Sequence, residues 1–230
     1  EAPQVLGAVK RAVDVDPRPG QYVLTGSARA DLDVETWPGT GRVVRIALMG
    51  MTIAEQVGRP ETVPLMERVV KGEPLRPAPD TPDLLGYVEL AMQSGFPQPA
   101  LSLSGNTRRR WLSAYVDQLL TRDAIQLAGP RDPARLRRYF EAFALNSAGI
   151  VEDKTLFDAA GLNRKTASAY EQLLLNLMVI DHLQPWASSR FRRLIRSPKR
   201  YLIDPALMAG ILGVDARAVM SDGGLLGRVL

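Results

Sequence analysis

The chain has 230 residues, 46% of them hydrophobic, 23% charged and 6% aromatic, with a net charge of +4. That is an ordinary globular composition, with apolar side chains enough for one large domain or two small ones. Zero cysteines exclude disulfides, thiolate metal sites and Cys nucleophiles. The single histidine, His182, excludes a multi-His metal site and leaves a serine triad one candidate base, which counts against a self-contained hydrolase.

No apolar run approaches the roughly 18 residues of a membrane-spanning helix, so no membrane partner is expected. Zero Cys and the lack of a targeting signature point to a cytoplasmic protein of a prokaryote. The chain does not open with Met, and it stops as a new apolar run begins at Gly223–Leu230. We expect a fragment of a longer protein.

In chain order, Val5, Leu6, Val9 and Val13 recur at helical spacing after Pro3, and the turn-rich run from Asp14 to Gly20 ends that helix. Gln21–Thr25 reads as a buried strand that stops at Gly26-Ser27-Ala28. Arg42–Leu48 reads as a second strand. A helix and two strands ending in small residues suggest part of a parallel α/β sheet, and two strands are too few to make one alone.

Residues 60–130 read as a helical module. A short helix holds Leu65, Val69 and Val70, and a second runs from Leu84 to Met92, stopped by Gly95-Phe96-Pro97. The strongest amphipathic pattern is Trp111–Leu127, with Leu112, Tyr115, Val116, Leu119, Leu120 and Ala124 on one face. From Asp132, an N-cap with Pro133 behind it, a helix buries Leu136, Phe140, Phe143 and Ala144. A short helix at 153–160, a turn at Gly161-Leu162-Asn163 and a longer helix from Arg164 to Met178 form a helix-turn-helix pattern. Two strands at 179–183 and 200–204, joined by a basic segment, add a wing. The expected fold is therefore mainly α with a small α/β part. Its domains are an α/β remnant at 1–59, a helical lid-like module at 60–130, a winged helix at 131–205 and the start of a further region at 206–230.

If the winged helix binds duplex DNA, Arg164, Lys165, Thr166 and Ser168 open its recognition helix, and Arg190, Arg192 and Arg193 contact phosphates from the wing. The alternative is a packing or protein-docking module, with the clusters Arg108–Arg110, Arg135–Arg138 and Arg190–Arg200 as solvated faces. Arg122-Asp123 are helix neighbours that do not face each other, which favours separate structural roles. His182 has no second His or Cys nearby and reads as a core or wing-edge residue.

The order of several short motifs carries a resemblance: Ala2-Pro3-Gln4, Lys10–Asp14, Leu24-Thr25-Gly26-Ser27-Ala28, Gly41-Arg42, Gly95-Phe96-Pro97, Tyr115 with Arg122-Asp123, and Ser197-Pro198-Lys199 before Tyr201–Asp204. In that order they resemble prokaryotic AAA-family P-loop ATP-binding proteins that carry a winged helix and a nuclease-like C-terminal region. The resemblance implies ATP and Mg²⁺ bound by the longer parent and hydrolysis used as a conformational switch. Walker A and Walker B motifs lie upstream in that family and are absent from this sequence, so the chain by itself is not expected to hydrolyse ATP. Thr25 and Ser27 match the position that orients the attacking water or senses the γ-phosphate, although strand-end capping is an equal use of small hydroxyls. Arg42 matches an arginine finger or lid sensor, or else forms a surface pair. Met49-Gly50-Met51-Thr52 departs from the proline-leucine pair that the family pattern carries.

Overall fold

A computed structural model describes residues 3–26, 41–44, 46–58, 63–74, 81–188 and 196–230. Among these the chain is mainly helical, with one two-stranded sheet. The expected first helix is α1 (Pro3–Val15). Asp14 near its end takes Lys10 at 3.2 Å and also pairs with Arg42.

Two sequence expectations are corrected here. Neither Gln21–Thr25 nor the described part of Arg42–Leu48 is a strand. Both are rich in β-branched and apolar residues, but a strand exists only by hydrogen bonding to a neighbour. Among the described residues the only ladder lies elsewhere. Their apolar side chains face solvent: Val23 is 87% exposed, Val44 86%, Ile46 86% and Leu48 91%.

Thr52 then starts α2 (Ile53–Gln56) through a capping box. The Thr52 hydroxyl accepts from the Glu55 amide, and the Glu55 carboxylate accepts from the Thr52 amide. The apolar pattern at Leu65 forms α3 (Leu65–Val70). Asp83 caps α4 (Leu84–Ala91), and Pro97, expected only to break that helix, instead opens α5 (Pro97–Leu101).

Helix α6 (Gly105–Gln118) begins before the expected Trp111, because Gly105–Arg110 are polar and carry no periodicity. Arg108 secures that first turn by donating to the carbonyls of Pro99, at 2.8 Å, and Leu103, at 2.5 Å. A π-helical turn at Leu119–Asp123 follows, then α7 (Ala124–Ala128). Its extra residue rotates the helix so that Leu119, Leu120 and Ala124 all face the core, as the pattern requires.

Asp132 caps α8 (Pro133–Leu145), accepting from the amides of Ala134 and Arg135. The expected face, Leu136, Phe140, Phe143 and Ala144, is fully buried, with Tyr139 beside it. Next come α9 (Asp153–Ala160), a left-handed Gly161, and α10 (Arg164–Asn176), whose N-cap Asn163 accepts from the Thr166 amide.

β1 (Ile180–Leu183) pairs antiparallel with β2 (Lys199–Leu202), Ile180 opposite Leu202 and His182 opposite Arg200. The turn after α8 lies on the other side of β2. The Ala148 amide donates to the Arg200 carbonyl at 2.6 Å, and the Leu202 amide donates to the Ser147 hydroxyl at 3.1 Å.

The C-terminal stretch folds back as α11 (Leu207–Leu212), α12 (Ala216–Ser221) and α13 (Gly223–Val229). α11 lies on α6, and α12 and α13 pack against α4. At Gly210 the α6 backbone comes so close that a Cβ would sit 2.7 Å from the Leu112 carbonyl oxygen. One continuous core runs from Val88 through Leu112, Phe140 and Leu174 to Val229. None of the helices among the described residues is long and apolar enough to cross a membrane.

Candidate functional site

Two polar constellations interrupt this core, and both converge on β2. The first surrounds Arg200, 3% exposed. Its Nε donates to Glu171 Oε1 of α10 at 3.0 Å, and its Nη1 donates to the Val151 carbonyl at 2.8 Å. Its Nη2 binds Asp153 at the start of α9. His182 Nε2, on the neighbouring strand, stands 3.0 Å from the same Glu171 oxygen.

One guanidinium fork thus ties β2 to α9, α10 and the loop before α9, which is a use of arginine that lysine cannot copy. Burial pushes the Glu171 carboxyl up, but the His182 imidazole and the Arg200 guanidinium beside it outweigh burial and hold it below its ordinary value. The buried Tyr139 phenol faces this carboxylate, and burial first, then the Glu171 charge, push its pKa up.

The second constellation lies at Ser94-Gly95 and Asp204. Asp204, 4% exposed, follows β2. Its Oδ2 accepts from the Ser94 hydroxyl at 2.6 Å and the Gly95 amide at 2.8 Å, and its Oδ1 accepts from the Ala206 amide at 2.9 Å. Ser94 is itself 2% exposed and has φ of 83°, a conformation rare outside glycine. Phe96 carries the turn into an aromatic trio, 5.0 Å from Tyr115, which stacks on Trp111 at 5.4 Å. Burial, then the charges of Asp123 and Asp204, push the Tyr115 phenol up. A cleft of about 680 Å³ opens beside the turn, walled by Met51, Gln56, Leu90, Gly95, His182 and Asp204.

Of the site residues singled out from sequence, the described ones take no part in the hydrogen bonds of either constellation. Thr25 is exposed at the end of its extended segment, and Arg42 is bound to Asp14. Ser27 lies outside the described residues, as do Arg190, Arg192 and Arg193, which were expected in a wing. Arg164, Lys165 and Ser168 are exposed on the first turns of α10, with Thr166 half-buried among them.

One sequence assignment is corrected. Arg200 counted as part of a solvated basic run, but it is the buried centre of an ion cluster. His182, expected in the core or at the wing edge, is on β1 against Glu171. Ser94, Glu171 and Asp204 had no assigned role. The signal for two of these positions was present in the motifs Gly95-Phe96-Pro97 and Tyr201–Asp204, which meet in space. Among the described residues no group of His, Asp and Glu is arranged to hold a metal ion.

A family model described as "Domain of unknown function (DUF8612)" matches residues 85–218, more than half of the chain. The chain belongs to this family. The matched span contains Ser94, Tyr115, Glu171, Arg200 and Asp204, whereas α1, Thr25 and Arg42 precede it. The chain is also similar to "Uncharacterized protein Rv2008c" of Mycobacterium tuberculosis and "Uncharacterized protein Mb2031c" of Mycobacterium bovis, 25% identical to each over 226 residues. The match covers 98% of this chain and 45% of each relative, so the chain spans less than half the length of the curated relatives it matches. No solved structure matches.

Proposed function

We propose that this chain is part of an AAA-type ATP-binding protein in which ATP hydrolysis drives a conformational switch. The chain would supply the C-terminal edge of the ATPase core (residues 1–59), a helical lid-like module and a winged helix. The observation that carries this reading is the exposed apolar row Val44, Ile46 and Leu48. Apolar residues at every second position are the sequence pattern of a half-buried sheet strand, which this row would become beside a neighbouring strand.

In this reading Thr25 and Ser27 orient water or sense the γ-phosphate, and Arg42 reaches a phosphate after leaving Asp14. The described residues do not fit ATP and Mg²⁺ by themselves. They offer no phosphate-cradling loop, no carboxylate group arranged for a metal ion, and an Arg42 already engaged. Those groups would come from the rest of the parent protein. The test is ATP binding and turnover by the longer gene product that contains this chain. We expect Mg²⁺-dependent binding, and a loss of turnover of about 10³-fold or more in Arg42→Ala if it acts as a finger. Absence of ATP binding by that product overturns the reading.

A second reading, a non-catalytic winged-helix module for duplex DNA or a protein partner, is favoured by one observation. The turn at Ser147–Gly149 hydrogen-bonds to the free side of β2, the position at which a winged helix would carry a third sheet segment. Here Arg164, Lys165, Thr166 and Ser168 would approach the duplex, with Arg190, Arg192 and Arg193 on phosphates. Fluorescence anisotropy of a labelled duplex across a salt series decides it. DNA contact predicts binding with a steep salt slope, shallower and weaker in Arg190→Glu/Arg192→Glu/Arg193→Glu. No binding even at low salt removes DNA and leaves protein docking.

A further inference from the structure

We propose that the Ser94-Gly95 turn is a mechanical joint that transmits movement of residues 46–57 to the β1–β2 hairpin, with Gln56 as its positioning residue. What moves the segment rests on the ATP-switch reading; the joint itself rests on three contacts.

The first contact is backbone against backbone. The Met51 amide donates to the Gly95 carbonyl at 2.7 Å. A Cβ on Gly50 would come within 3.1 Å of the Gly95 backbone, and one on Gly95 would lie 2.8 Å from the Met51 carbonyl oxygen. With no side chain between them, neither segment slides without displacing the other.

The second contact is the Gln56 amide, which donates to both partners: to the Met51 carbonyl at 3.2 Å and to the Ser94 carbonyl at 3.0 Å. The capping box at Thr52 and Glu55 fixes the start of the helix that presents it. The third contact is Asp204, which grips Ser94 and Gly95 from the far side and continues directly into β2.

A joint also needs two states. Ser94 is a non-glycine residue at φ of 83°, a conformation that persists only while surrounding bonds enforce it. Breaking either the Gln56 or the Asp204 grip frees the turn to relax. The cleft beside it gives the 49–53 segment room to move without unpacking the core. A run of contacts is not coupling in itself; the strained turn is the bistable element that both sides bias.

The test is amide hydrogen exchange on this 230-residue chain. Gln56→Leu removes both donors at similar volume. It should accelerate exchange roughly tenfold at residues 94–96 and also at 200–206, the gain expected for about one lost hydrogen bond. Residues 164–176 of α10 should stay at the wild-type rate, which separates transmission from general unfolding. Ser94→Gly relaxes the strained φ and removes the hydroxyl without threatening the fold. It should accelerate 200–206 and, through the Gln56 bond to the Ser94 carbonyl, 53–56 as well, because coupling across a joint is reciprocal. Acceleration confined to 49–58 and 94–96 overturns the joint, as does acceleration everywhere.

The longer ATP-binding product provides the second arm. There Gln56→Leu should keep ATP affinity but lose any ATP-dependent change in exchange at 200–206. An unchanged hairpin response in that variant overturns the joint. A product that binds no ATP overturns the functional reading alone, because the first arm still decides the joint.

Discussion

Arg200→Ala is expected to destabilise the fold by about 3–5 kcal/mol, an effect of the size seen when one member of a buried ion cluster is removed. The cost comes less from the lost attraction than from what remains. Glu171 keeps a carboxylate that is 13% exposed, now without its guanidinium, and the Val151 carbonyl loses its donor. Urea unfolding followed by far-UV circular dichroism measures it. The double variant Arg200→Met/Glu171→Leu should recover most of the loss, because removing both members leaves no buried charge uncompensated.

The acid limb supplies an independent check. The folded-state pKa of Glu171 lies below its ordinary value of 4.5. Its contribution to stability is therefore fully present above the unfolded value and disappears as pH falls through the folded one. Arg200→Ala should flatten that acid limb. An Arg200→Ala loss below about 1 kcal/mol would mean that water reaches the cluster and screens it.

Asp204→Ala is expected to cost about 3 kcal/mol or more, since three donors lose their acceptor together and each buried unsatisfied group costs about 1–3 kcal/mol. Asp204→Asn keeps one good acceptor and should cost about half as much. The same urea series measures both. Near-UV dichroism adds a local signal, because the freed turn carries Phe96 against Tyr115 and Trp111. If Asp204→Ala unfolds at the wild-type midpoint with its near-UV spectrum intact, the carboxylate does not hold the turn.

Much of the helical architecture was legible because periodicity and caps are local. Asp132 before Pro133, Gly161 after α9, and the apolar sets of α8 and α10 each lie within one or two turns of the element they define. The strand pair β1–β2 was legible for the same reason. What failed was tertiary. Gln21–Thr25 and Arg42–Leu48 have strand composition, but composition does not supply a neighbour. Arg200 sits in a basic run that reads as solvated, and only the fold brings Glu171, 29 positions away, to its Nε. Ser94 and Asp204 are 110 positions apart and join through a turn whose left-handed serine no propensity announces. The motifs around them were visible, and their meeting was not.

The placement of β2 has a further consequence for colloidal behaviour. It is hydrogen-bonded to β1 on one side and to the Ala148 turn on the other, so neither flank is open to a foreign strand. The remaining flank of the sheet is β1, only four residues long and carrying the charge of Asp181. Such an edge is a poor template for intermolecular pairing. Among the described residues the uncovered row Val44, Ile46 and Leu48 is a more adhesive stretch, where a single lysine in place of one of the three would act as a gatekeeper against aggregation.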